Sequence, residues 1–344
     1  MITIAVDASG GDLGSAPVFS GIRDSLKADQ DLSIKLFCDA ENYEKASQPA
    51  VFPKTLRDRI DLLLCSESVT MEEKPLQALR NKASSSMAEA LKSLDKGESQ
   101  AMISSGNTGA LVGFGLQILG TIPGISRPAI CTALPSNKGR TWFLDMGANL
   151  EPSLEQMLDN ARMGAAQCRL VEGIERPRVG VLNVGSESMK GKRIEQQVAA
   201  ELAKQADIDF AGFAEGADLF SGEFNLIVCD GFAGNVALKT AEGVADFLSD
   251  QLKTLLNNDW AARFCYLLLR RDLRGLRRRI DPARYNGASL LGLNGLVVKS
   301  HGASTSSGFQ NALNTTASLV RMGALPYMKD ALASSSLDKA KISA

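Results

Sequence analysis

The stretch LIVCDGFAGNVALKTAEG, from Leu226 to Gly243, contains the signals of a strand, a tight loop and a helix. Its apolar start ends at Asp230, and a turn bracketed by Gly231 and Gly234 follows. Apolar residues then recur at helical spacing, which predicts a buried strand followed directly by a helix. A strand that leads into a helix in this way is typical of an α/β protein.

The same arrangement recurs along the whole chain. Apolar runs end in small, polar, glycine-bearing loops in MITIAVDASGGD, AMISSGNTGA, TWFLDMGAN, VGVLNVGSES and LVVKSHGAS. This alternation predicts an α/β fold with a mostly parallel sheet, organised as one domain over residues 1–344. Because loops after parallel strands meet at the carboxyl edge of the sheet, we expect all six to build one ligand pocket.

The composition excludes several classes of protein. The 344 residues are 44% hydrophobic, enough for a sizeable core, and the formal net charge of −1 gives no general attraction to nucleic acid. No apolar run approaches the roughly 20 residues of a membrane span, and the first residues lack the features of a signal peptide. Six scattered cysteines without C-x-x-C indicate a reduced, cytoplasmic protein. A single histidine excludes a multi-histidine metal site, and we predict neither metal nor cofactor.

Residues 245–285 read as a basic, amphipathic helical arm within this domain. The segment RFCYLLLRRDLRGLRRRIDPAR carries eight arginines against two aspartates. Such a helix suits an anionic membrane surface or an acidic protein partner, although a solvated helix with local ion pairs is equally compatible. The arginines predicted to make these contacts are Arg270, Arg271, Arg274, Arg277 and Arg278.

Two glycine-bearing loops are candidates for an anion site. In SSGNTGA a strand ends and a helix begins near Gly109, so free amides and the positive helix end would face the pocket. A plain N-capped helix start is the alternative. In AVDASGGD, adjacent glycines would let the backbone approach a ligand closely. The candidates in these loops are Ser105, Gly106, Asn107, Thr108, Gly109, Asp7, Gly10, Gly11 and Asp12.

Charged residues end several of the predicted strands. Asp7, Asp145 and Asp230 could hold a metal, but aspartates there more often cap the following turn. The cations of an anion pocket would be Lys190, Lys239 and Lys299, and the only histidine, His301, lies beside the last of them. The other substrate-binding candidates are Asn149 and Gly234.

Taken together, six segments resemble the PlsX family of phosphate acyltransferases, in the same order and over nearly the whole chain. They are SSGNTGAL, GISRPAI with ALP, LDMGAN, LNVGSESMKGK, VCDGFAGNVALKTAEG and LLGLNGLVVKSHGAS. The resemblance implies a three-layer αβα fold like that of isocitrate and isopropylmalate dehydrogenases, with a projecting helical arm. It implies transfer of a fatty acyl group from acyl carrier protein to inorganic phosphate by a homodimer. The product would feed a membrane glycerol-3-phosphate acyltransferase in phospholipid synthesis, so a cytoplasmic enzyme at the inner membrane face is expected.

The chemistry of that reaction suits these residues. Phosphate already carries nucleophilic oxygens, so the enzyme must hold phosphate beside the thioester and stabilise the developing oxyanion. We expect the 105–109 loop and Gly10–Gly11 to bind phosphate, with Lys190 or Lys239 balancing its charge. We expect His301 and Asn235 near the acyl oxygen or the leaving sulfur, with Lys299 as a further catalytic candidate.

The sequence departs from the family pattern at two places. Leu13 follows GGD where the family usually has histidine, and YNGAS, from Tyr285 to Ser289, replaces a YGGAP-like pattern. Three other functions remain open: a CoA-dependent phosphate acyltransferase, an isopropylmalate-type dehydrogenase, and a non-catalytic membrane scaffold. Dependence on the carrier protein, NAD binding and liposome binding without acyl-phosphate formation would distinguish them.

Overall fold

The computed structural model describes residues 1–187, 189–258, 268, 269, 271, 275 and 281–342. Within these ranges, eleven strands form one sheet in the order β3-β2-β1-β4-β11-β10-β5-β6-β9-β7-β8. The strands are β1 (Ile2–Asp7), β2 (Leu32–Cys38), β3 (Ile60–Leu64), β4 (Ala101–Ser104), β5 (Ala129–Ser136), β6 (Gly139–Leu144), β7 (Arg178–Leu182), β8 (Asp209–Ala214), β9 (Leu226–Val228), β10 (Ala288–Leu291) and β11 (Val297–Lys299). None of the helices in these ranges is long and apolar enough to cross a membrane.

Helices cover both faces of this sheet. They are α1 (Ala16–Ala28), α2 (Ala40–Ser47), α3 (Lys54–Arg57), α4 (Pro75–Asn81), α5 (Ser86–Asp95), α6 (Thr108–Ile118), α7 (Leu154–Glu172), α8 (Arg193–Leu202), α9 (Gly231–Asn258), α10 (Ser306–Arg321) and α11 (Ala324–Ile342), with 3-10 turns at Gly216–Phe220 and Pro282–Tyr285. The predicted fold class, a mostly parallel sheet between two layers of helices, is confirmed.

The layering follows from the alternation of side chains along buried strands. In β1, Ile4 and Val6 pack with α1 and α10 on one face, whereas Ala5 packs with α5 and α6 on the other. In β9, Leu226 and Val228 likewise face α7 while Ile227 joins the α6 side. Because both faces are covered, these strands read in the sequence as continuous apolar runs.

The strand directions overturn one expectation. β1, β2, β3, β4 and β11 run parallel to one another, and so do β6, β7, β8 and β9. Between the two groups, β10 is antiparallel to β11 and to β5, and β5 is antiparallel to β6. Since three antiparallel pairings separate them, the groups run in opposite directions. The expectation that all six loops share one carboxyl edge is therefore wrong: three lie at each of two opposite edges.

The predicted helical arm lies only in part within the described residues. Its first residues belong to α9, which runs through to Asn258. Arg271 is exposed. The predicted contact residues Arg270, Arg274, Arg277 and Arg278 lie outside the described residues.

Candidate active site

Three of the predicted loops pack together at the carboxyl edge of β1, β4 and β11. A Cβ on Gly10 would lie 2.4 Å from the Gly106 Cα, so these two backbones touch. The Ser105 hydroxyl donates to the Gly10 carbonyl at 3.0 Å, and the Asp12 amide donates to the Gly302 carbonyl at 2.8 Å. The loops therefore form one continuous surface, and glycine is required where they meet.

Asp7 lies beneath this surface as an organising residue. Its side chain is 2% exposed and accepts hydrogen bonds from the Ser86 and Ser104 hydroxyls, both at 2.7 Å. Burial raises the pKa of this carboxyl, while the two serine hydrogen bonds act in the opposite direction. Ser104 in turn accepts from the Gly106 amide at 2.9 Å, so Asp7 fixes the shape of the 104–109 loop.

The 104–109 loop ends in a capped helix that leaves amides open. The Asn107 side-chain oxygen accepts from the Ala110 amide at 3.0 Å, and its amide nitrogen donates to the Met71 and Glu73 carbonyls. The structural role of an N-cap is thus confirmed for Asn107. Within the described chain, the first amides of α6, those of Thr108 and Gly109, have no protein acceptor. These two amides can donate to a bound anion, whereas the side chain of Asn107 is already bonded within the protein.

Lys299 places a cation directly behind these loops. It is 8% exposed, and its ammonium group donates to the carbonyls of Ser105 and Ser300. Burial lowers the pKa of Lys299 to about 8, although Asp12 and Asp7 act in the opposite direction. An anion bound at this surface would favour the charged form of the lysine.

His301 lies in the same loop and meets a cation and a carboxylate from α9. Its Nε2 is 2.7 Å from Lys239 Nζ and 3.5 Å from the Glu242 carboxylate, and its Nδ1 accepts from the Ala303 amide at 3.1 Å. Burial alone would raise the pKa of Glu242, but hydrogen bonds from His301 and Lys239 hold it below its usual value. The side chains of His301 and Lys239 remain 40% and 52% exposed, so a substrate can reach both.

Asn286 holds the His301 loop in place. Its side-chain oxygen accepts from the His301 amide at 2.8 Å, and its nitrogen donates to Ser300, Ser304 and Gly308 at 2.8–2.9 Å. The departure YNGAS thus contributes an asparagine that ties together the segment from Ser300 to Gly308. Neighbouring Gly287 adopts a φ of +110°, a backbone conformation that favours glycine.

The loop after β6 forms a second, internal cluster. Asp145 is 0% exposed and accepts from the amides of Ile130, Gly147, Ala148 and Asn149, at 2.7–3.2 Å. Burial raises the pKa of Asp145 against these hydrogen bonds. Asn149 also donates to Asp145 and to the Pro128 carbonyl, both at 2.9 Å. Asp145 and Asn149 are therefore occupied in shaping this loop.

Asp230 begins α9 in the role of an N-cap. It accepts from the Ala233 amide at 2.6 Å and pairs with Lys192 at 2.8 Å. Lys190, the predicted cation, pairs instead with Glu187 at 2.7 Å. Gly234 is fixed by contact, because a Cβ there would lie 2.0 Å from the Asp145 carbonyl oxygen.

Helix α9 connects the two loop clusters that the sheet separates. It starts beside Asp145, where a Cβ on Gly147 would lie 3.5 Å from the Asn235 Cβ, and its third turn carries Lys239 to His301. Asn235, at the start of α9, thus lies by the β6 loop, and Lys239, about one turn further along the helix, lies by the β11 loop. In this way the structure brings residues from both groups of strands into one site.

Two cavities flank this part of the molecule. One, of about 480 Å³, extends along α6 from Thr108 and Gly109 to Gln117 and Arg127. The other, of about 680 Å³, lies against a face of α9 that includes neither Lys239 nor its contact with His301. Its apolar lining includes Leu182, Leu219, Phe232, Val236, Ala237 and Val244. Both volumes fall within the range of small-molecule pockets, about 300–1,000 Å³.

Several residues of the site carried no signal in the sequence. Ser86, Glu242 and Asn286 act through partners that are 79, 59 and 15 residues away along the chain. Lys192 resembled any lysine in the LNVGSESMKGK loop. Of these residues, only Asn286 was marked as unusual in the sequence, by the YNGAS departure, and that departure did not indicate a role.

Comparisons with known proteins identify the family of the chain and agree with its fold. The profile of the family described as "Fatty acid synthesis protein" matches residues 2–325. The chain is 40% identical to the phosphate acyltransferase of Alcanivorax borkumensis, covering 96% of this chain and 98% of that protein. It is 43% identical to the phosphate acyltransferase of Chromobacterium violaceum, covering 91% and 90%.

Solved structures show the same fold at low sequence identity. A branched-chain phosphotransacylase from Enterococcus faecalis superposes with a TM-score of 0.59 at 13% identity, covering 93% of this chain and 99% of that one. A phosphotransacetylase from Streptococcus pyogenes gives 0.59 at 17% identity, covering 93% and 94%.

Proposed function

Because the chain belongs to the PlsX family of phosphate acyltransferases, matched over residues 2–325, we propose that it transfers a fatty acyl group from acyl carrier protein to inorganic phosphate. The product is acyl-phosphate for phospholipid synthesis. The observation that carries this proposal is the single surface formed by the 104–109 loop, buried Lys299, His301 and Lys239.

In the proposed reaction a phosphate oxygen attacks the carbonyl carbon of the thioester. A carbon–oxygen bond forms, the carbon–sulfur bond breaks, and the thiolate leaves and takes up a proton. The amides of Thr108 and Gly109 and the ammonium group of Lys299 hold the phosphate. Lys239 and His301 face the reacting carbon from α9 and the β11 loop, where they stabilise the oxyanion or protonate the sulfur.

A long acyl chain is supported by the larger cavity. It extends along α9 to Thr240 and Val244, and most of the side chains that line it are apolar. Removing apolar chain from water stabilises binding by about 0.8 kcal/mol per buried CH₂ group. Long-chain donors are therefore favoured over acetyl donors.

The test measures thiol released from palmitoyl–acyl carrier protein with and without inorganic phosphate. Phosphate-dependent release, with an acid-labile acyl-phosphate as product, is expected, and acetyl donors should react far more slowly. Release from palmitoyl-CoA alone would assign the chain to the CoA-dependent alternative. No release from any donor would refute the proposal, and NAD and liposome binding would then examine the dehydrogenase and the scaffold.

The phosphate step should depend on the charge of Lys299. Its folded pKa of about 8 lies below the usual 10.5, so the ammonium group is present below pH 8 and is lost as pH rises through that value. We expect kcat/KM for phosphate to fall above pH 8 in the wild type, and this limb to be absent from Lys299→Met. Unfolding stability should change in the opposite sense, rising between pH 8 and 10.5 as the buried charge is neutralised. A wild-type activity profile that stays flat from pH 7 to 9.5 would contradict this role.

We also propose that the active form is a cytoplasmic homodimer that can rest on an anionic membrane surface. The support is an exposed apolar stripe on α9, which includes Phe247 at 61% and Leu248 at 54% exposure. Contiguous exposed apolar surface usually contacts a partner or a membrane. Sedimentation equilibrium should give twice the mass of one chain, and liposome flotation should depend on anionic lipid. A membrane glycerol-3-phosphate acyltransferase is the proposed consumer of the product.

A further inference from the structure

The smaller cavity is lined both by a cation and by residues of the candidate reaction site. Thr108 and Gly109 line it at the start of α6, and Arg127 lines it together with Gly147 and Ala148. Arg127 is exposed and makes no ion pair or side-chain hydrogen bond with any described residue. A guanidinium group with no carboxylate partner is available for an anion that enters from solvent.

The pairing of the strands gives the approximate distance between the start of α6 and Arg127. At one level of the sheet, Ser104 of β4 pairs with Lys299 of β11, and Lys299 pairs with Ala288 of β10. At the other level, Ala129 of β5, two residues after Arg127, pairs with Leu291, which lies three residues after Ala288 on β10. Three strand residues span about 10 Å along the strands, and the three strand spacings from β4 to β5 add about 14 Å across the sheet, so Ser104 and Ala129 lie about 17 Å apart. Along the wall of the cavity, the nine residue steps of α6 from Thr108 to Gln117 span about 13.5 Å.

The walls of the cavity suit a flexible, amphipathic chain. Leu79, Val112 and Leu116 contribute apolar surface, and Gln117 and Thr108 contribute hydrogen-bonding groups. Gly109 and Gly113 let α4 pack closely on α6, since a Cβ on either would lie within 2.7 Å of Pro75 or Leu79. The cavity is thus an open groove with a cation, Arg127, in its lining.

We propose that this groove binds the 4'-phosphopantetheine arm of the thioester donor, with Arg127 holding its phosphate group. The inference rests on the proposed acyl transfer, because the arm carries the thioester. From phosphorus to sulfur the arm has thirteen bonds, about 15 Å when extended, which matches the length of the groove. Arg127 takes the phosphate in a bidentate pair, and the sulfur then lies beside Thr108 and Gly109.

The arm is common to acyl carrier protein and coenzyme A, so the donor can be reduced to the arm itself. The experiment compares acyl-4'-phosphopantetheine with acyl-pantetheine, which lacks only the phosphate. In the wild type the phosphorylated donor should have a KM lower by about 10-fold or more, with kcat similar for both, because the phosphate is remote from the reacting carbon. Arg127→Gln should remove this preference by raising KM for the phosphorylated donor alone.

A matched control is Arg176→Gln, an exposed arginine that lines neither cavity. It should keep the wild-type preference. The wild type and both variants are also assayed with acyl carrier protein and acyl-CoA as donors, which distinguishes the two sources of the arm. Calorimetry with 4'-phosphopantetheine and with pantetheine measures binding without turnover.

The outcomes separate the two proposals. If the wild type uses no thioester donor, the proposed function fails, and calorimetry still decides whether the groove binds the arm. If the wild type is active but Arg127→Gln keeps the preference for the phosphorylated arm, this inference fails alone. A loss seen only with the carrier protein, and not with the isolated arm, would place Arg127 at the protein surface of the carrier and would also overturn it.

Discussion

Replacement of His301 by alanine should lower kcat for acyl-phosphate formation by on the order of 100-fold, the lower end of what a positioned acid or base contributes. The imidazole is the group through which Lys239 and Glu242 meet the β11 loop, at 2.7 and 3.5 Å. Without it, the developing charge on the acyl oxygen or the sulfur loses one of its two proposed neutralising groups. Pre-steady-state release of thiol would measure the loss directly.

The fold should survive this change, which makes the result interpretable. The His301 amide, which donates to Asn286, is retained in alanine, and the ring is 40% exposed. Thermal unfolding should therefore shift by no more than a few degrees. His301→Gln, which keeps a polar group near the position of Nε2, should recover part of the rate. An unchanged kcat in His301→Ala would remove the histidine from the mechanism.

Replacement of Gly234 by alanine should cost about 3 kcal/mol of stability or more. The new Cβ would lie 2.0 Å from the Asp145 carbonyl oxygen and 2.9 Å from the Cys229 sulfur, and neither group is the flexible end of a long side chain. Overpacking of this kind forces the backbone to move. Here it would separate the start of α9 from the β6 loop, so activity should fall together with stability.

Gly243 on the same helix provides the matched control. It is exposed, and a Cβ there would meet nothing within 4 Å. Gly243→Ala should therefore stabilise the protein by up to about 1 kcal/mol, the difference in helix propensity. Urea denaturation midpoints of the two variants should move in opposite directions. Equal midpoints would show that the contact at Gly234 relaxes without cost.

Much of the local structure could be predicted from the sequence. The strand and the helix expected within Leu226–Gly243 are β9 and the start of α9, and the helix expected to begin near Gly109 is α6. The apolar runs and the glycine loops between them also gave the correct fold class. β5, β8 and β10 were not predicted. Because β5 and β10 make the antiparallel pairings, the antiparallel centre of the sheet was not predicted either. A short apolar run carries no sign of which neighbour it pairs with or in which direction.

The candidate site was predicted in its parts but not in its assembly. The aspartates that end β1, β6 and β9 act as acceptors for local hydroxyls and amides, the structural role expected for most such residues. Lys239 and Lys299 do come together with His301, whereas Lys190 pairs with Glu187. Spacing along the sequence did not distinguish these lysines, because each lies at or shortly after the end of a predicted strand.

The sequence by itself determined most of the element types, the fold class and the family, because these depend on local periodicity and on motifs that keep their order along the chain. The tertiary structure decided which loops meet. Three antiparallel pairings sent two groups of loops to opposite edges, and the length and direction of α9 then brought Lys239 and Glu242 to His301. Those contacts depend on pairings between strands far apart in sequence, and their energy appears only when the whole sheet has formed.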